Sequence, residues 1–495
     1  VKRIPLIAAL LTLAIHLVAN PHYGFYRDEL YFIVCGFHPD WGYVDQPPLV
    51  PLLSAGSQLF GTSLFLLRAV PALFAAGGVY VTCLLVIEIG GGEFAQILTA
   101  LLTAFLPVLN AFGTKVSTDE AGLLLWPLAA LCVAKMINGE CRRLWLLCGA
   151  AIGVCGEAKY TVFFFGAAML LALALTPERR ILFTPWFVAG MLLGSTIALP
   201  SLLWQISHGW PFVVMIHHQQ ASELIVHSPA SYMLQQVFIT NPLLAPIWIA
   251  GVIYALREAQ LRWIGLTYVF LLVAMIGLHA RNYYPGDAYP LVLATGALAI
   301  ERASALRAWR PAIVATVAAV SLLTLPFTYP GIAEAKLAAV IAAGQRVVKI
   351  DLKPTRDTYA PITENFADMH GWPELTAVVA GVYGSLPPQD RARAAILASN
   401  FAEAGAIDIF GKAHGLPPAI SGHNNYWLWG NRGYDGSVVV EVNGTCGPDF
   451  SRARVAVTHF YNEWAMPTEN GIPISVCYGL NEPLAQYWPK LQLYI

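Results

Sequence analysis

Carboxylates stand side by side at two places in an otherwise apolar sequence. Asp28 and Glu29 lie within Tyr26-Arg27-Asp28-Glu29-Leu30-Tyr31, and Asp119 and Glu120 follow Lys115 and Ser117-Thr118. A carboxylate held against an apolar surface can take a proton from a hydroxyl as general base. It can instead bind a divalent cation that neutralises a phosphate leaving group. Each pair also has a structural reading. Asp28 and Glu29 can pair with Arg27 in a loop, and Ser117 or Thr118 can cap a helix whose first turn favours acids.

Cations and phenols are placed where a phosphate would need them. In Arg281-Asn282-Tyr283-Tyr284 one guanidinium and two phenols can hold phosphate oxygens through charge-assisted hydrogen bonds. The alternative is an aromatic belt with a snorkelling Arg. Lys159, in Gly156-Glu157-Ala158-Lys159-Tyr160, is a second phosphate candidate, or else a partner of Glu157. His217 and His218 offer imidazoles for a metal site shared with Asp28, although neighbours on a helix point in different directions and cannot easily share one ion. Asp45 precedes Gln46-Pro47-Pro48, a rigid turn into the next segment.

The elements that carry these residues follow from composition. Lys+Arg number 29 and Asp+Glu 30 in 495 residues, 12% charged against 57% hydrophobic, and mean hydropathy is +0.58. A soluble chain carries about 25% charge, so most of this one belongs in lipid. A net charge of -1 excludes a basic surface for nucleic acid, and the eight Cys form no zinc-like spacing.

Eleven apolar segments are candidate spans: 4–19, 63–87, 97–112, 121–137, 144–157, 161–176, 185–205, 233–256, 262–278, 288–300 and 311–328. With the N-terminus inside, Lys2, Arg3, Lys135, Arg142, Arg143, Arg179, Arg180, Arg257, Arg262, Arg302, Arg307 and Arg310 fall on the inner side. Only Arg27, Arg68, Lys115, Lys159 and Arg281 fall outside, an asymmetry that orients the chain. Asp28, Glu29, Asp40, Asp45, Asp119, Glu120, Glu157, Glu223 and Asp287 then all face outward. Leu30, Phe32 and Ile33 beside the first pair predict an amphipathic helix lying along the surface.

Charge density rises near Pro330, dividing the chain into a membrane part (1–328) and an outward, periplasmic tail (329–495). β-branched runs at 395–398, 438–442, 455–458 and 474–477 alternate with helical stretches at 372–383 and 401–413, an α/β pattern. The tail's two cysteines, Cys446 and Cys477, form either a disulfide or two buried thiols.

Taken in order, the first-loop acids, Asp45-Gln46-Pro47-Pro48, Asp119-Glu120, His208-Gly209-Trp210-Pro211 and the Arg281-x-Tyr283-Tyr284 stretch through Tyr289-Pro290 resemble bacterial family 39 glycosyltransferases. This group includes protein O-mannosyltransferases and lipid A aminoarabinose transferases of the GT-C fold. The resemblance implies a mainly α, polytopic bundle of about eleven transmembrane helices in a bacterial inner membrane, with a C-terminal α/β periplasmic domain. It implies transfer of a sugar from a polyprenyl-phosphate donor to a hydroxyl of an envelope lipid, glycan or protein, with inversion and without a nucleotide. In that pattern Asp28, assisted by Glu29, activates the acceptor or supports a divalent cation. Asp119 or Glu120 is the second acidic site, Asp45 contributes to the pocket, and Lys159, Arg281, Tyr283 and Tyr284 hold the phosphate. Gln46 stands where aminoarabinose-type relatives carry Lys, which separates this chain from their specificity. A transporter or flippase for a lipid-linked saccharide is the rival reading, but it expects ionisable residues near the bilayer midplane in repeated halves.

Overall fold

The computed structural model describes residues 3–221, 228–348 and 360–495. Lys2 and Glu223 lie outside them. The apolar segments all fold as helix, since in lipid the backbone's best partner is its own chain. Four helices have the length and hydropathy of a crossing: Leu64–Glu88, Pro185–Ser207, Ala259–Gly277 and Ser304–Phe327. A fifth crossing would be the bent pair Glu93–Phe105 and Pro107–Gly113, which turn by 61°. Pro107 holds Leu106 extended and so breaks the helix there. Arg3–Ala19, Gly122–Ile137, Leu144–Gly156, Thr161–Ala174 and Ala245–Arg257 are shorter apolar helices. Length and composition therefore qualify four or five spans among the described residues, fewer than the eleven expected.

The segment 233–256 is not one span. Its helix ends at Ile239 and resumes at Ala245, with Asn241 in the left-handed region (φ 71°). The Asn241 side chain accepts the Leu243 N–H at 2.9 Å, a local turn that competes with the helix. Elsewhere small residues bring helices together. A side chain at Gly149 would strike the Gly190 carbonyl, so Leu144–Gly156 and Pro185–Ser207 pack backbone to backbone.

Helix Arg27–Phe37 departs most from expectation. Every residue from Glu29 to Gly36 is buried, so the helix does not lie along a surface. From Leu30 to Phe37 its sequence is apolar all round, the signature of a segment packed on every face. Leu30, Tyr31, Ile33 and Val34 share one core with Trp372, Val379, Ile407 and Tyr426 of the tail. Full burial of each aliphatic side chain stabilises by about 1.5–3 kcal/mol, so this helix holds the two parts of the chain together.

Among its described residues the tail carries five strands: β1 (Ala395–Ala398), β2 (Ile420–Ser421), β3 (Val438–Val442), β4 (Ser451–Phe460) and β5 (Ile472–Leu480). Their order is β2-β1-β3-β5-β4. β1 is parallel to β2 and β3, and β5 is antiparallel to β3 and β4. Helices Trp372–Ser385 and Phe401–Phe410 accompany the sheet, and Cys446 and Cys477 form a disulfide.

Candidate active site

The first acidic pair separates into two roles. Glu29 is fully buried, and its carboxylate receives Arg68 Nε at 2.9 Å and Arg68 Nη2 at 3.0 Å. The N–H groups of Tyr26 (2.8 Å) and Val116 (3.1 Å) donate to the same carboxylate. Arg68 also donates to the carbonyls of His22 and Gly24, at 3.1 and 2.7 Å. Glu29 is thus the anchor that ties the first loop to helix Leu64–Glu88, and it is absent from the cavity wall. Asp28, one position earlier and about 100° around the helix, lines a cavity of about 810 Å³. Burial raises the pKa of its carboxyl, and Arg27, Lys115 and Arg281 pull it back down.

The second pair separates in the same way. Asp119 lines the cavity and accepts from Lys159 Nζ at 2.6 Å. Glu120 is fully buried away from the cavity, and burial lifts its pKa well above the usual range against the backbone of Ser117, which lowers it. Asp287 lies behind Asp119, against Gly122, where any side chain would strike its carboxylate. Burial and the charge of Asp119 both raise its pKa.

Arg281 and Tyr283 line the same cavity. Their loop is held through its backbone. Tyr232 Oη donates to the Arg281 carbonyl at 3.1 Å, and Gln236 Nε2 donates to the Asn282 carbonyl at 2.7 Å. Tyr289 Oη in turn donates to Gln236 Oε1 at 2.7 Å. No motif marks Tyr232 or Gln236, whose roles depend on the break at Asn241 that ends helix Pro229–Ile239 near this loop. Lys159 is not on the cavity wall. Its ammonium pairs with Asp119 and lies 5.0 and 4.3 Å from the ring centres of Tyr283 and Tyr284. Tyr284 is likewise behind the wall.

Lys115, noted in the sequence only as a neighbour of the second pair, lines the cavity. Its ammonium sits 3.6 Å from the Tyr26 ring centre and donates to Asn365 Oδ1 at 2.6 Å. Asn365 belongs to the tail, and Thr363, Glu364, Asn365, Phe366 and Met369 complete the wall. Behind them Asp368 stands 3.9 Å from Arg27 Nη1. Burial pushes the Asp368 carboxyl up to about 7 against the pull of Arg27. No motif marks this segment, because its contribution depends on how the tail docks.

Three candidates lie elsewhere. Asp45 accepts from Tyr31 Oη at 3.0 Å at the junction with the tail, where Asn425 accepts the Val44 N–H at 2.7 Å. His217 and His218 are exposed and do not line the cavity. Nδ1 of His218 is 2.9 Å from the Tyr494 carbonyl. Asp28 has Arg27, Lys115, Arg281 and Glu29 as charged neighbours, and neither histidine shares its cavity, so the three expected ligands are not brought together. Among the described residues the one cluster of three potential ligands is Glu441, Cys446 and Cys477, whose sulfurs are joined in the disulfide.

Comparison with known proteins bears on this cavity. Residues 45–204, about a third of the chain, match the family model described as dolichyl-phosphate-mannose-protein mannosyltransferase. No curated protein matches the chain by sequence. Among solved structures, ArnT from Cupriavidus metallidurans in the apo state is similar at a TM-score of 0.59 and 15% identity, over 95% of this chain and 97% of that one. The same protein bound to undecaprenyl phosphate gives 0.58 and 17% identity over the same shares. The arabinofuranosyltransferase AftD from Mycobacteria gives 0.52 and 15% identity, over 97% of this chain and 40% of that one. These likenesses place the chain among GT-C folds.

Proposed function

We propose that this chain, a membrane protein of GT-C fold that belongs with the family 39 mannosyltransferase-like glycosyltransferases, moves a sugar from a polyprenyl-phosphate donor to an acceptor hydroxyl on the outer side of a bacterial inner membrane. The observation that carries this reading is that Asp28 and Arg281 line one cavity. The acceptor oxygen attacks the anomeric carbon while Asp28 takes its proton. The bond from that carbon to the phosphate oxygen breaks on the opposite face, which inverts the centre. Polyprenyl phosphate leaves as its charge is met by Arg281, with Lys115 and the Tyr283 phenol beside it. No nucleotide enters the reaction, and no step is assigned to a metal.

Asp28 is favoured over its neighbours because each of them is otherwise engaged. Glu29 is bound by Arg68 and Asp119 by Lys159, while Glu120 is buried behind the wall. The outward tail closes the cavity on the acceptor side. The test is Asp28→Asn in the full chain, assayed with a radiolabelled polyprenyl-phosphate sugar. Transfer at the wild-type rate by a folded variant would remove Asp28 from the reaction.

A further inference from the structure

A second cavity, of about 410 Å³, lies at the other end of helix Arg27–Phe37 and shares no lining residue with the first. Phe37, His38 and Thr62 form one wall, and Lys412 and Arg432 of the tail form the other. The basic groups are set up to meet an anion. Lys412 Nζ lies 5.7 Å from the Phe37 ring centre and is within ion-pair distance of no carboxylate among the described residues. Arg432 uses Nε on the Ala419 carbonyl at 3.1 Å, leaving its terminal nitrogens toward Asp408, with Nη2 3.8 Å from that carboxylate. Asp408 already accepts from the Ala419 N–H at 2.7 Å and the Tyr426 hydroxyl at 2.9 Å. Two cations therefore share this cavity with one carboxylate, Asp408, which also accepts two hydrogen bonds.

The mouth of this cavity is apolar. The loop carrying Gly61 and Thr62 runs directly into helix Leu64–Glu88, a candidate span, so it lies at the membrane surface. Leu59 and Phe60 in that loop are 75% and 93% exposed, and Phe37 is 50% exposed. Apolar side chains that exposed at the start of a span belong in lipid. A basic chamber behind a lipid-facing apolar lip fits an amphiphile with an anionic head.

We propose that this cavity binds the phosphate-bearing headgroup of an anionic membrane lipid, with Lys412 and Arg432 on the phosphate and Leu59, Phe60 and Phe37 along the acyl chains. The assignment concerns binding only and does not depend on the transfer reaction at Asp28. It is tested by titrating the full-length protein in detergent with phosphatidylglycerol and with phosphatidylcholine, read by native mass spectrometry. Wild type is expected to retain phosphatidylglycerol in preference. Lys412→Gln should weaken that lipid about fivefold, the effect of one surface cation on an anionic lipid, and leave phosphatidylcholine unchanged. Phe60→Ser should weaken both lipids alike. Both side chains are exposed, so neither change disturbs the core. Unaltered phosphatidylglycerol binding by Lys412→Gln, or by Phe60→Ser, overturns the proposal. Displacement of the lipid by millimolar inorganic phosphate also overturns it, by identifying an ion site in place of a lipid site.

Discussion

The Lys159 ammonium meets the Asp119 carboxylate at 2.6 Å, and the two charges are spent on each other. The pair shares its surroundings with buried Asp287 and the rings of Tyr283 and Tyr284, so removing one partner strands the other in a poor solvent for charge. Lys159→Met is expected to destabilise the protein by about 3–5 kcal/mol. Asp119→Asn combined with Lys159→Met should cost clearly less than the sum of the single changes. Thermal unfolding of the four proteins in detergent measures the coupling.

Asp28→Asn and Glu29→Gln should fail in different ways although they are adjacent. The first is expected to lower sugar transfer by about 10²- to 10⁴-fold, the range for a general base, with an unchanged melting temperature. The second leaves Arg68 with a neutral partner inside the protein and is expected to cost about 3–5 kcal/mol of stability. Transfer assays beside unfolding curves separate the two.

Gln236→Leu leaves the Tyr289 hydroxyl and the Asn282 carbonyl without the partners they now have. Each stranded buried group costs about 1–3 kcal/mol. Because Gln236 holds the backbone beside Arg281, the donor KM is expected to rise more than kcat falls. Steady-state kinetics with the polyprenyl-phosphate donor checks this. A fall in kcat with an unaltered donor KM would separate Gln236 from donor binding.

Asp45 supplies a pH dependence. Burial raises its carboxyl to about 7 from the ordinary 3.8, against the Tyr31 hydrogen bond that lowers it. The folded state therefore holds this proton where the unfolded chain has lost it. Its stabilising contribution is full below about pH 4 and is lost as pH rises through about 7. Asp45→Asn should flatten that part of the stability profile, measured as the unfolding midpoint from pH 4 to 8.

The apolar segments and the tail's strands were legible because lipid and the sheet each impose a pattern that local sequence must satisfy. Asn241 was not, since one residue in the left-handed region divides a run whose hydropathy reads as continuous. Asp28 and Glu29 are equivalent in sequence; only the path of helix Leu64–Glu88 puts Arg68 against one of them. Lys159 looked free for phosphate because Asp119, 40 residues away, could not be placed beside it. No sequence feature joins Lys115 to Asn365 or Arg27 to Asp368, for the same reason, since these pairs meet only when the tail packs against the first loop. Burial of helix Arg27–Phe37 was readable in principle from its unbroken apolar run, but Asp28 and Glu29 at its start suggested a wetted face.

The wall formed by residues 363–369 has a bearing on biogenesis. A ribosome makes Asp28 and Arg281 well before Asn365, so a nascent chain carries both side chains while one wall of their cavity is still missing. The cavity gains its full lining only once residues 363–369 have been made and have packed against the first loop.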